Sequence, residues 1–159
     1  MRSEILDLAR AQGVMIATAE SCTAGMLAAA LTDLPGSSAM FERGFVTYTN
    51  AAKTEMLGVS EDVLAAHGAV SEQVAAQMAQ GALARSRAQL ALSITGIAGP
   101  GGSEYKPEGR VCFGLAAEQS AVQTWQVDFG PLGRDRVRAR ARDHALSLLH
   151  SRLMAVQSG

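Results

Sequence analysis

The residues of this chain best equipped for chemistry stand together at Glu20-Ser21-Cys22-Thr23: a carboxylate, a hydroxyl, a thiol and a second hydroxyl. They lie between two apolar runs, Val14 to Ala17 and Met26 to Leu31, whose pattern predicts a short buried strand and then a helix over Thr23 to Thr32. A helix start has free N–H groups and the positive end of a dipole, so Ser21 would be flanked by stabilisation for an oxyanion or a phosphate. The alternative is a plain N-cap, a role open to Ser21 or Thr23. Cys22 is a rival nucleophile, because a thiol beside a helix N-terminus can be acidified, but it lacks an evident histidine partner.

Three other places have residue types that do not suit their local structure. Lys53 falls in the first turn of a helix that Asn50 is placed to cap, where the dipole favours an acid; a solvated surface lysine is the other reading. Gly96-Ile97-Ala98-Gly99-Pro100-Gly101-Gly102-Ser103 follows an apolar strand, and its glycines allow backbone N–H groups to converge on an anion. No Gly-Lys-Ser/Thr follows, so this is not a nucleoside triphosphate loop, and a glycine-rich surface turn is the alternative. Arg134, Arg138 and Arg142 recur every fourth residue on one face of the closing helix, two of them at its unfavourable end, where an anionic ligand or a solvated, salt-bridged face would account for them. His67 stands alone beside Gly68 and reads as a turn or packing residue.

The elements that position these residues follow from periodicity. Ser3 to Ala11 predicts a leading helix over a sheet edge, Val14 to Ala19 a strand, and Phe41 to Thr49 a second strand. Helices follow from the Asn50 cap to Gly58, over Ser60 to Ala66 and from Ser71 onward, then a strand over Gln89 to Thr95. Arg110 to Ala117 and Ala121 to Phe129 read as a hairpin, with Cys112 a small buried side chain. Val137, Ala141, Ala145, Leu148 and Leu149 place an apolar stripe on a helix over Arg134 to Met154, and Val156 to Gly159 is expected to be a loose tail.

Composition narrows the class. With 159 residues the chain fits one domain, 1–159, with a real core. A hydrophobic share of 48% and a net charge of −1 exclude a disordered composition and any global attraction to nucleic acid. Cys22 and Cys112 have neither disulfide-like nor metal-like spacing, which fits a reducing cytoplasm. No apolar run approaches the roughly 20 residues needed to span a bilayer, and Glu4 and Asp7 interrupt the N-terminal stretch, so a soluble, unexported protein is expected.

Taken in order, Thr18-Ala19-Glu20-Ser21-Cys22-Thr23-Ala24-Gly25, Phe41 through Tyr48 leading to Lys53, His67-Gly68-Ala69-Val70-Ser71, Ser93-Ile94-Thr95-Gly96-Ile97-Ala98-Gly99-Pro100, and Lys106-Pro107-Glu108-Gly109 resemble the CinA C-terminal domain family. The resemblance spans nearly the whole chain and implies a single-domain three-layer α/β/α sandwich with a mixed central sheet. It implies an amidohydrolase that converts nicotinamide mononucleotide and water to nicotinate mononucleotide and ammonia, in pyridine nucleotide recycling. Carried over by position, the nucleophile falls on Ser21 and the base on Lys53, with Tyr48 and Thr95 lining the same pocket. Thr23, Gly96, Gly101 and Gly102 are assigned to substrate binding, and Arg134 and Arg138 to the substrate phosphate. No metal and no cofactor is implied. The expected partners are the small-molecule substrate and further copies of the chain in a homo-oligomer, with no nucleic acid and no membrane.

Two departures from the family pattern stand out. Ala24-Gly25 occupies the place of two glycines, and the loop after Gly96-Ile97-Ala98-Gly99-Pro100 is one residue shorter than usual. The competing expectation is a non-catalytic nucleotide-binding or protein-interaction module of the same family. Retention of both Ser21 and Lys53 favours the enzyme.

Overall fold

The computed structural model describes residues 1–103 and 105–158. The chain runs α1 (Arg2–Gln12), β1 (Ile16–Glu20), α2 (Met26–Thr32), a 3-10 turn at Ser37–Ala39, β2 (Phe41–Val46), α3 (Asn50–Leu57), α4 (Glu61–His67) and α5 (Glu72–Ala84). It continues through β3 (Leu90–Gly96), β4 (Arg110–Ala117), β5 (Gln123–Asp128) and α6 (Arg134–Ser158). The sheet order is β2-β1-β3-β4-β5. β1 pairs in parallel with both β2 and β3, while β3–β4 and β4–β5 are antiparallel, which makes the sheet mixed.

The two sheet faces are covered by different helices, giving three layers. On one, Ile16, Leu92, Ile94, Phe113 and Leu115 pack against α1, α2 and α6 through residues such as Ile5, Leu27, Leu31, Val137, Ala141 and Leu149. On the other, Ala17, Ala19 and Ala91 present small side chains to Leu57 of α3, Leu64 of α4 and Val74, Met78 and Ala82 of α5. Each fully buried large side chain contributes roughly 1.5–3 kcal/mol relative to exposure, so truncating Phe113, which has no exposed surface, would cost on the order of 3–5 kcal/mol.

Several local expectations are corrected. α1 lies against α6 rather than along a sheet edge, because Ile5, Leu6, Leu8 and Ala9 all turn into the core. α2 starts at Met26, not Thr23, because Ala24 and Gly25 adopt positive φ of 44° and 99° and hold residues 21–25 in a turn. α3 is capped by Thr49, whose hydroxyl accepts from Ala52 N–H, rather than by Asn50. Finally, α6 continues through residues 156–158, where a loose tail is expected; no glycine or proline interrupts the chain before Gly159, which lies outside the described residues.

Candidate active site

Because β1, β2 and β3 run parallel, their C-terminal ends share one edge of the sheet, where α/β proteins place ligands. The antiparallel register brings the start of β4 and the end of β5 to the same edge: Gly96 pairs with Val111, and Arg110 with Asp128. Residues 21–25, 47–49, 97–103, the Lys106–Gly109 segment and the lead-in to α6 therefore converge. Most of the chemically equipped residues of the sequence lie there.

Lys53 is 1% exposed and Ser21 7%, so the lysine is not a solvated surface residue. Lys53 Nζ lies 3.0 Å from Ser21 Oγ and donates to the carbonyl oxygens of Thr47 (3.0 Å) and Tyr48 (3.1 Å). Its first-turn position sets the amine beside the segment that joins β2 to α3, at the end of β1. Burial of a cation-forming group is costly, and satisfied partners are the usual condition for it.

The turn carrying Ser21 is fixed from three sides. Ser21 N–H donates to Ile94 O of β3 at 2.9 Å. The carboxylate of Glu20, 1% exposed, accepts from Thr23 Oγ1 at 2.7 Å and from the amides of Leu27 (2.9 Å) and Ala28 (3.0 Å) in the first turn of α2. Glu20, not Thr23, therefore serves the helix start, and its charge complements the dipole there. Arg138 donates through Nε to Cys22 O at 3.0 Å and reaches Thr23 O at 3.5 Å. Among the described residues, the amides of Cys22 and Thr23 donate to no backbone carbonyl and to no other residue's side chain. Burial pushes the Cys22 thiol up to about 12, so it is a neutral S–H at ordinary pH and unsuited to nucleophilic attack.

Beside the dyad, Tyr48 is half exposed, and its phenol oxygen accepts from Arg134 Nη2 at 2.6 Å. Arg134 Nη1 donates to Gly99 O at 2.8 Å, so the arginine spans from the tyrosine to the glycine loop. A cleft of about 270 Å³ is bounded by Gly96, the glycine loop through Ser103, Ala69, Val70 and Arg134. Ser21 and Lys53 lie outside its lining and adjoin it through Tyr48 and through Gly96, where an added Cβ would stand 3.1 Å from Cys22 Sγ. Thr95 is buried and donates its hydroxyl to Ala69 O at 2.9 Å, so its hydroxyl supports the wall of the cleft. Gly101 and Gly102 do reach the cleft, but Gly101 N–H is occupied by the Glu108 carboxylate at 2.6 Å.

Sequence reasoning missed the roles of Glu20 and Glu108. A glutamate six residues before a helix does not match a capping box, and only the loop through Ala24 and Gly25 lets it return to the amides of α2. Glu108 has the signal of an acid between proline and glycine, but nothing local identifies its partners. Arg142 faces away from the site, paired with Asp143 at 2.9 Å. His67 ends α4, with its carbonyl accepting from Lys106 Nζ, and Cys112 is buried as expected.

The class defined by this fold and site is an α/β/α protein that buries a serine hydroxyl and a lysine amine within hydrogen-bond reach of each other at the ends of its parallel strands. Comparison with known proteins narrows the class: residues 1–153 match the CinA C-terminal domain, and the chain belongs to that family. A nicotinamide-nucleotide amidohydrolase, PncC, of Shigella flexneri is 54% identical over 141 residues, covering 88% of this chain and 85% of that protein. The structure of competence/damage inducible protein CihA from Agrobacterium tumefaciens is 48% identical, with a TM-score of 0.86 over 93% of this chain and 94% of that one. A CinA superfamily protein from Klebsiella pneumoniae 700603 has a TM-score of 0.92 at 34% identity, over 97% and 96% of the two chains.

Proposed function

We propose that this protein hydrolyses the carboxamide of nicotinamide mononucleotide to give nicotinate mononucleotide and ammonia, with Ser21 as nucleophile and Lys53 as base. The observation that carries the reading is the 3.0 Å approach of a buried lysine amine to a buried serine hydroxyl. The PncC relatives support the substrate class.

The stereochemistry at Lys53 fits a base. The carbonyls of Thr47 and Tyr48 can only accept, so each takes one N–H. A neutral amine could give its two N–H bonds to these carbonyls and turn its lone pair toward the Ser21 O–H. Burial disfavours the charged ammonium and so favours this form. In the first step Lys53 takes the Ser21 proton while Oγ bonds to the amide carbon. The resulting oxyanion is placed to meet the amides of Cys22 and Thr23, each such donor being worth on the order of a hundredfold in rate. Lys53 returns the proton to the amide nitrogen, the C–N bond breaks, and ammonia leaves an acyl-Ser21. Water, deprotonated by the same amine, then releases the carboxylate and restores the serine.

At the other end of the substrate, Arg134 and the glycine loop offer a guanidinium and backbone groups for the phosphate, and the exposed ring of Tyr48 offers a face to the pyridinium. Arg138 acts through the Cys22 carbonyl instead. The reaction consumes only water and needs no cofactor, and its cellular place is the recycling of pyridine nucleotides. Incubation with nicotinamide mononucleotide should release ammonia, and Ser21→Ala should abolish the release. A well-folded wild-type protein that releases none would be a binding module instead.

A further inference from the structure

Glu108 is an exposed-segment carboxylate with an unusual pair of partners. Its Oε1 accepts from Gly101 N–H at 2.6 Å and its Oε2 from Gly133 N–H at 3.0 Å. Gly101 belongs to the glycine loop, and Gly133 is the residue whose carbonyl accepts the first bond of α6, from Val137 N–H at 3.0 Å. One carboxylate therefore ties the two walls of the cleft together, and it does so with charge-assisted bonds at the positive end of α6. The loop is shaped to receive it: Gly99 holds φ +91°, and a Cβ added there would stand 2.5 Å from the Glu108 carboxyl carbon. Lys106, two residues earlier, anchors the same segment by donating to the carbonyls of His67 and Val70.

The residue after Gly133 is Arg134, whose guanidinium reaches Gly99 O and the Tyr48 phenol. We propose that Glu108 is a positioning residue for the phosphate end of the substrate: by bridging Gly101 N–H and Gly133 N–H it sets the width of the cleft and aims Arg134 across it. It follows that the substrate phosphate is recognised by Arg134 and not by the Gly101 amide, which is already committed. This rests on the nucleotide reading above and assigns its phosphate end. The opposite possibility is that Glu108 merely fills an anion cradle that the phosphate takes over, in which case removing its charge would improve binding.

The test compares nicotinamide mononucleotide with nicotinamide riboside, which lacks the phosphate, in wild type, Glu108→Gln, Glu108→Asp, Arg134→Ala and the Glu108→Gln/Arg134→Ala double variant. A glutamine has one acceptor oxygen for two amides. Glu108→Gln should raise KM for the mononucleotide by roughly tenfold with kcat changed less than about twofold, and leave riboside turnover where it was. In the Arg134→Ala background the same change should add little, since the effect passes through that arginine. Glu108→Asp, which keeps both acceptors, should recover part of the loss. A lower KM in Glu108→Gln, an equal loss on the riboside, or a full additional loss in the double variant would each overturn the assignment. Should the variant fold poorly, the wild-type Gly101 and Gly133 amide NMR signals decide: they should hold their positions on saturation with nicotinate mononucleotide, and large shifts of both would mean the carboxylate is displaced. Wild-type protein inert toward the mononucleotide would instead fail the nucleotide reading itself and take this assignment with it, whereas an active wild type with unchanged Glu108→Gln fails this assignment alone.

Discussion

The Lys53 amine and the Ser21 hydroxyl meet at 3.0 Å although 32 residues separate them in the chain, and what joins them is the parallel pairing of β1 with β2. Glu20 pairs with Val46 at the strand ends, so the turn after one strand and the helix after the other must emerge side by side. Lys53→Met keeps the apolar stem and removes the amine. Its ammonia release should fall by about a thousandfold or more with the fold intact, and Lys53→Arg should not rescue it, because a guanidinium cannot give up its proton to act as a base. A methionine variant with near wild-type turnover would remove Lys53 from the mechanism.

Burial of Cys22 leads to a separate expectation. Its folded pKa of about 12 lies above the ordinary value of 9.0, so the folded state favours the protonated thiol. Cys22→Ala should therefore retain most activity, and iodoacetamide at pH 7.5 should leave the native thiol unmodified. The sign of the linkage is also fixed: an unfolded chain loses this proton from about pH 9 upward while the folded one holds it, so stability from this group declines as pH rises beyond 9. Cys112, raised to about 11 by burial, acts in the same direction. Melting temperatures between pH 8 and 10.5 should fall less steeply in the Cys22→Ala/Cys112→Ala variant than in wild type.

The individual strands of the parallel half, the closing hairpin and the helix stripes are legible because each depends on a periodic pattern that burial enforces, whereas the order of the parallel strands is not. Val137, Ala141, Ala145 and Leu149 lie in the core as their spacing predicts. Lys53 was legible as an anomaly, since a cation in a first turn conflicts with the dipole. Its burial was not, because that depends on which strand lies beside β1. The same limit hid Glu20 and Glu108: each takes backbone amides from segments that only the tertiary fold brings near, and a backbone amide leaves no mark in a sequence. The helical spacing of Arg138 with Arg134 marks a shared face of α6, but its bond to Cys22 O, one turn further along, is another tertiary contact that spacing does not disclose.

His144 packs between Phe113, with ring centroids 4.9 Å apart, and Phe129 at 6.1 Å. Burial against these rings lowers its pKa from the ordinary 6.5, so the folded state favours neutral imidazole. The unfolded chain binds the proton first as pH falls, and stability from this group, complete above about 6.5, is lost below it. The melting temperature should drop between pH 7 and pH 5, and His144→Gln should flatten that slope. An unchanged slope would show that other groups carry the acid sensitivity.

Glu20→Gln tests the cap of α2. The substitution replaces one of two acceptor oxygens with an N–H₂ that would face an amide donor, while Thr23 Oγ1, Leu27 N–H and Ala28 N–H all still require acceptors. A buried donor left unsatisfied costs about 1–3 kcal/mol, equivalent to a drop in melting temperature of roughly 2–10 °C in a chain of this size. The Ser21 turn is built on the same carboxylate, so kcat should fall along with stability. Full stability would mean that α2 does not need the cap.

Arg134 and Arg138 stand four residues apart on α6 and should separate cleanly in kinetics. Arg134 spans Tyr48 and Gly99 at the cleft, so Arg134→Ala should raise KM for the mononucleotide by roughly tenfold or more and spare the riboside. Arg138 donates to Cys22 O beside Ser21, and nothing about that contact distinguishes one substrate from another. Arg138→Ala should therefore lower kcat by about tenfold on both substrates with little change in KM, because a loosened turn misplaces Ser21 and the amides of Cys22 and Thr23 together. Arg138→Lys should recover only part of this, since one ammonium cannot reproduce the guanidinium's reach to two carbonyls. If Arg138→Ala raised KM for the mononucleotide alone, the arginine would belong to the phosphate after all, and the bond to Cys22 O would have to break when substrate binds.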